Sequence, residues 1–224
     1  LESRYKSFVG MHEVPVVYGM TIGEYGKMVK GEGWNGTSGC KLSVIPNDNY
    51  DHMTFYELPT RPSPNLPNMT SIYLYPSLCF FEGTVVSLGR GTDKPFQIAG
   101  HPDYIKGKFQ FVPKGVPGST SPVLMNRTCT GIDLSEMRKE KLQKLEKIDL
   151  AYLIDFYQTL PEKKNFFNNY FNVLAGTGTL KQQIIENLSE AEIQRSWAFE
   201  QEKFKKIREK YLLYRDFESR IDVK

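Results

Sequence analysis

Four prolines stand within fourteen residues, in "ELPTRPSPNLPNMT" at positions 57–70. Each fixes φ, removes a backbone donor and biases its predecessor toward extended geometry. Neither a helix nor an interior strand can run through such a stretch, so the chain is divided there. Long loops without regular structure are usually functional or disordered. Proline lowers the entropy lost on ordering, so this one reads as a rigid, working loop.

Before the loop, "VPVVY" (14–18) and "KLSVIPN" (41–47) read as strands flanking a helix. Thr21 and Glu24 make a capping box, Ile22, Tyr25 and Val29 share a helical face, and Gly31 and Gly33 end it. Strand, helix, strand is the order of a layered α/β segment. After the loop, "SIYLYP" (71–76) reads as a buried strand and "SLCFFEG" as a short helix or strand-ending turn.

From about residue 95 the character changes. "PFQIAG", "GKFQFVP" and "NRTCTGIDLS" are short β runs between Gly/Pro loops. "RKEKLQKLEK" (138–147) is a solvated connector or helix face, and Leu150, Leu153, Ile154 and Tyr157 mark a core helix. Ser189 and Glu192 cap a final amphipathic helix carrying Ile193, Trp197, Phe204, Ile207 and Tyr211. The expected fold is α/β followed by α+β, with domains at 1–95 and 96–224.

Composition excludes several classes. With 29 Lys and Arg against 26 Asp and Glu over 224 residues, the net charge of +3 is too small and scattered to favour nucleic acid. No apolar run reaches the length of a membrane span. Cys40, Cys79 and Cys129 form no C-x-x-C pair and, with three histidines, no zinc spacing. No cofactor is expected. Asp48, Asp51 and His52 in "NDNYDH" either pair around a metal or close a turn, and the turn is the simpler reading. The opening "LESRYKSFVG" has neither an initiator Met nor a signal-peptide core, and reads as a chain entered partway.

Chemistry concentrates in "LCFFEGTVVSLGRGTDKPF" (78–96). Glu82 follows an apolar run, where desolvation would raise its pKa toward that of a general acid. The competing reading is a carboxylate paired with Arg90. Arg90 lies between glycines that admit a ligand closely, and its guanidinium suits a carboxylate or phosphate. "GRGT" lacks the length and lysine of a phosphate loop, and no G-x-G-x-x-G occurs. Ser63 and Asn65 offer hydrogen bonds on the stiffened loop, or merely close turns.

Taken in order, "VPVVYGMTIGEYGKM", "PSPNLPN", "YPSLCFFEGT", "GRGTDKPF", "LAGTGTLKQQI", the late "SW" and "YLLY" resemble the NamZ-like peptidoglycan exo-β-N-acetylmuramidases, almost end to end. The resemblance implies a glycosidase that removes N-acetylmuramic acid from non-reducing ends of peptidoglycan fragments, in the periplasm or secreted. It implies that residues 1–95 are the C-terminal portion of a Rossmann-like domain lining the cleft. Residues 96–224 would then be a mixed β/helical auxiliary domain. Glu82 of "EGT" is the expected catalytic carboxylate, and the resemblance leaves its second carboxylate to a segment before this chain. Arg90, with Lys94 as second choice, is expected to grip the lactyl carboxylate of the muramic acid. Ser63, Asn65 and Thr92 would orient hydroxyls, and Tyr18 or Tyr75 would stack on the sugar. A non-catalytic glycan-binding module is the alternative.

Overall fold

The computed structural model describes residues 1–217 except Val9. Two compact units divide the described chain. One comprises Leu1–Met11 with Glu57–Ile193, and the other His12–Tyr56 with the chain from Gln194 onward.

In the second of these units, α1 spans Ile22–Gly31 and begins as its capping box requires. Thr21 N and its hydroxyl donate to Glu24 Oε2 at 2.7 and 2.9 Å, and Glu24 N donates back to the Thr21 hydroxyl. Glu24 is fully buried. Its other oxygen accepts from the Leu213 amide at 2.8 Å and lies 3.1 Å from His52 Nε2. Nearby, Arg208 donates to the Gly19 carbonyl and, through two nitrogens at 2.7 Å, to Asp216. Gly31 leaves room for the Tyr211 ring, which a Cβ there would meet.

Residues 14–18 and 41–47 form no strand, contrary to the sequence expectation. β-Branched residues suit a half-buried sheet rather than dictate one. No neighbouring strand pairs with these runs among the described residues, and Pro15 and Pro46 withhold donors. Val17 and Ile45 accordingly stand exposed.

In the other unit, α2 spans Met69–Leu78, where "SIYLYP" suggested a strand. Asn68 decides the matter: its Oδ1 accepts from Ser71 N at 3.0 Å, nucleating a helix that alternation of β-formers conceals. Leu74, Ser77 and Leu78 are buried, and a helix surrounded by protein loses its amphipathic signature. A 3₁₀ turn, Cys79–Gly83, continues it.

The strands β1 (Ile98–His101), β2 (Phe109–Phe111) and β3 (Cys129–Asp133) form an antiparallel sheet in the order β1-β3-β2. Gly131 lies opposite both Gly100 and Phe109. A side chain there would collide with the Ala99 carbonyl, so glycine sets this close approach. Ile98, Phe111 and Cys129 form the sheet's core, with Phe109 and Leu124 against it.

Four short helices follow: α3 (Lys139–Leu142), α4 (Ala151–Thr159), α5 (Phe171–Ala175) and α6 (Thr179–Ile185). The long helix α7 spans Glu190–Glu209, capped through Ser189 and Glu192 as its sequence indicates. Of the expected core stripe Leu150, Leu153 and Tyr157 are buried and Ile154 only partly so, while Phe156 joins the buried face. Phe156 stacks on Tyr104 at 4.0 Å and meets the edge of Phe81 at 5.5 Å.

Glu24→Ala should lower stability by about 3–5 kcal/mol, because it strips a buried partner from His52 and two amides. Burial alone would raise the pKa of Glu24, but its bonds from Leu213, Thr21 and His52 hold it below the ordinary range. The stabilisation is therefore present at neutral pH and fades as pH falls through that lowered value. Denaturant titrations of protein and variant should show a gap that narrows on acidification.

Candidate active site around Glu82 and Arg90

Glu82 owes its position to the apolar residues before it. Leu78 and Phe81 are fully buried, and Phe80 nearly so. The 3₁₀ turn anchored by these rings carries Glu82 to the rim, with 23% of its side chain exposed. Gly83 behind it is pressed against the backbone of Phe171, where a Cβ would collide.

Arg90 is held as firmly. Ser87 exchanges two backbone hydrogen bonds of 2.9 Å with Gly100 of β1, so the buried run after Glu82 lies along the sheet edge. Gly89 and Gly91 both take positive φ, +70° and +83°. Thr92 closes the turn onto the Gly89 carbonyl, and the Lys114 amide binds the Gly91 carbonyl at 2.9 Å. Between these pinned glycines the Arg90 side chain projects, 40% exposed, and its Nη1 donates to Glu82 Oε2 at 3.0 Å.

The two readings of Glu82 thus meet in one geometry: it is paired with Arg90, and the pair is open to solvent. Burial pushes the Glu82 carboxyl above its ordinary pKa, and the charge and hydrogen bond of Arg90 only partly offset this. Such a group keeps its proton to higher pH than an ordinary surface carboxylate does. Among the described contacts, Arg90 uses one donor on Glu82, leaving other guanidinium edges for a second anion.

Tyr75 of α2 lies within electrostatic reach of both groups. It is 37% exposed, packs against Phe96 at 5.1 Å, and its phenol is pushed up to about 12 by burial and by Cys79, Glu82 and Tyr170. The other sequence candidates are engaged elsewhere. Thr92 spends its hydroxyl on Gly89 and accepts from Lys94 N. Lys94 Nζ binds Asp133 at 2.9 Å and lies over the Phe109 ring. Ser63 accepts from Asn65 N, and Asn65 donates to Gly118 O, so both hold the proline loop in shape. Tyr18 belongs to the other compact unit, where it packs on Tyr25 at 5.2 Å. Asp51 caps a turn through Met53 and Thr54, and His52 faces Glu24. Among the described residues no three His, Cys, Asp or Glu side chains gather as metal ligands.

Sequence reasoning does not reach Asn168 and Tyr170. Asn168 Nδ2 donates to the Glu82 carbonyl at 3.3 Å, and its Oδ1 accepts from Tyr170 N at 2.8 Å. A separation of 86 residues from Glu82 leaves no local signal of that contact.

Comparison with known proteins decides the family. Residues 73–214 match the family model described as the C-terminal part of exo-β-N-acetylmuramidase NamZ, and residues 1–70 match that of its N-terminal part. The chain belongs to the NamZ family. It is 30% identical over 230 residues to peptidoglycan β-N-acetylmuramidase NamZ of Bacillus subtilis, covering 96% of this chain and 55% of that protein. A crystal structure of a DUF1343 family protein from Bacteroides fragilis shares 47% identity and a TM-score of 0.93, over 97% of this chain and 62% of that one. A second, 18% identical with a TM-score of 0.77 over 96% of this chain and 61% of its own, shares the fold. The chain therefore spans less than two thirds of each of these NamZ and DUF1343 relatives. The change of composition near residue 95 falls inside the region matched to the C-terminal model.

Removing the Arg90 cation should raise the Glu82 pKa further. Titration of side-chain carboxyl ¹³C resonances in Arg90→Gln is the measurement. An unchanged or lower Glu82 value would mean that the pair does not form in solution.

Proposed function

We propose that this chain contributes to a glycoside hydrolase that removes N-acetylmuramic acid from non-reducing ends of peptidoglycan fragments. Family membership supports the reaction class, and one observation carries the site. A carboxyl raised above its ordinary pKa lies 3.0 Å from a guanidinium, and both are accessible.

In this reading Glu82 supplies proton chemistry at the glycosidic oxygen and Arg90 grips the lactyl carboxylate. The two roles are coupled. A substrate carboxylate that draws Arg90 toward itself takes from Glu82 the charge that lowers its pKa. Glu82 is then more readily protonated while substrate is bound, as a general acid requires. A neutral hexosamine offers Arg90 nothing in exchange, which disfavours it. Tyr75 stands beside the pair as a surface for the sugar, and Thr92, Ser63 and Asn65 keep the flanking loops in place. Lys94 is the second choice for the lactyl group.

The same reading assigns residues 1–95 to the cleft-forming, Rossmann-like part of the enzyme and 96–224 to an auxiliary part. A periplasmic or secreted location belongs to the same proposal, on the family resemblance.

The test is turnover of a chromogenic β-N-acetylmuraminide. Glu82→Gln should reduce kcat by about 10²–10⁴-fold, the usual contribution of a general acid. Its melting temperature should barely change, since part-exposed ion pairs stabilise weakly. Full turnover in this variant would end the catalytic role of Glu82. Arg90→Ala should lose more on the muraminide than on the matching glucosaminide, and equal losses would reject the lactyl assignment. Calorimetric binding of muropeptides by a protein that turns none over would favour a glycan-binding module.

A further inference from the structure

We infer that Tyr170, carried beside Glu82 by the segment Phe166–Phe171, forms with Tyr75 an aromatic wall that holds the sugar ring at the Glu82–Arg90 pair. The inference rests on the reading of this site as a muramic acid site.

The segment "FFNNYF" holds four aromatic residues, and the fold treats one of them differently. Phe166 and Phe171 are fully buried and Phe167 nearly so. Phe166 meets the face of Tyr157 edge-on at 5.2 Å, and Phe167 meets Phe171 at 4.5 Å. Tyr170 alone is left 38% exposed. An isolated exposed tyrosine needs no explanation. The turn that bears this one is bonded, through Asn168, to the backbone of Glu82.

Backbone pairing brings it there. Val85 N donates to Phe166 O at 3.1 Å and Asn168 N donates to Gly83 O at 2.9 Å, enclosing the antiparallel bridge between Thr84 and Phe167. Asn168 then spans the two chains with one side chain. Its Nδ2 binds the carbonyl of Glu82 itself, and its Oδ1 takes the amide of Tyr170. The turn bearing Tyr170 is thus fixed to the residue that bears the carboxyl. The phenols of Tyr170 and Tyr75 lie within electrostatic reach of each other, as Tyr75 does of Glu82 and Arg90.

The chemistry of a pyranose suits this arrangement. Its C–H face is apolar and its rim polar, so it wants a flat apolar surface beside hydrogen-bonding groups. Tyrosine provides both, with few rotors to immobilise. Arg90 can read the acid and Glu82 the glycosidic oxygen, but neither holds the face of the ring. Tyr170 is therefore a binding residue, and Asn168 a positioning residue that acts through it and through the Glu82 backbone.

Calorimetric titration with N-acetylmuramic acid tests this, with N-acetylglucosamine as the comparison. Tyr170→Ala and Tyr170→Leu should each weaken binding about tenfold or more, since Leu restores bulk but no flat face. Tyr170→Phe should stay within about threefold, because the ring rather than the hydroxyl does the stacking. Asn168→Ala should weaken binding while leaving the melting temperature within a few degrees. In turnover the Tyr170→Leu loss should appear in KM more than in kcat. Wild-type affinity in a folded Tyr170→Leu would overturn the inference and leave the proposed function standing. No binding of N-acetylmuramic acid by the unaltered protein would instead remove the muramic acid reading, and the stacking role with it.

Discussion

Backbone pairing between Gly83–Val85 and Phe166–Asn168 underlies most of what the candidate site can do. It is only a bridge long, yet the carbonyls it engages belong to the buried residues Gly83 and Phe166. Buried backbone groups must find partners, so these two segments hold one another or the core opens. Gly83 is a condition of that contact, because a Cβ there would strike the Phe171 backbone. Through it the 3₁₀ turn is seated and Glu82 is held at the surface, with the Asn168 side chain bonded to its carbonyl.

The Glu82–Arg90 pair shows how burial and charge can be set against each other without cancelling. Were both groups free, neither would perturb the other. At intermediate exposure, desolvation of Glu82 outweighs the pull of Arg90, and the carboxyl stays raised beside a cation. A part-exposed pair of this kind adds little stability. Its consequence is a carboxyl whose proton affinity depends on where the guanidinium is directed.

Local signals were legible where the physics is local. Both capping boxes, the core stripe of α4, the three β runs and the proline loop form as their residues indicate, because a cap or a fixed φ acts within a few positions. The same residues hide their distant roles. Glu24 announces itself as a helix cap, but its second oxygen anchors Leu213 and faces His52. Lys94 and Thr92 looked free for a ligand, and the fold commits them to Asp133 and Gly89. The errors have a shared cause. Runs 14–18 and 41–47 have strand composition without a strand to pair with, and α2 has strand composition around an asparagine cap.

The sequence by itself determined where helices could start, where the chain could not be regular, and which short stretch held a carboxylate and a guanidinium in an apolar setting. Its ordered motifs also sufficed to indicate the family. Only the tertiary structure decided that Glu82 and Arg90 are partners rather than strangers, that the pair stays open, and that Asn168 ties the turn of Tyr170 to the Glu82 backbone. Those outcomes depend on contacts across as many as 86 residues and on how much water each group keeps. Neither quantity is a property of any short stretch of chain.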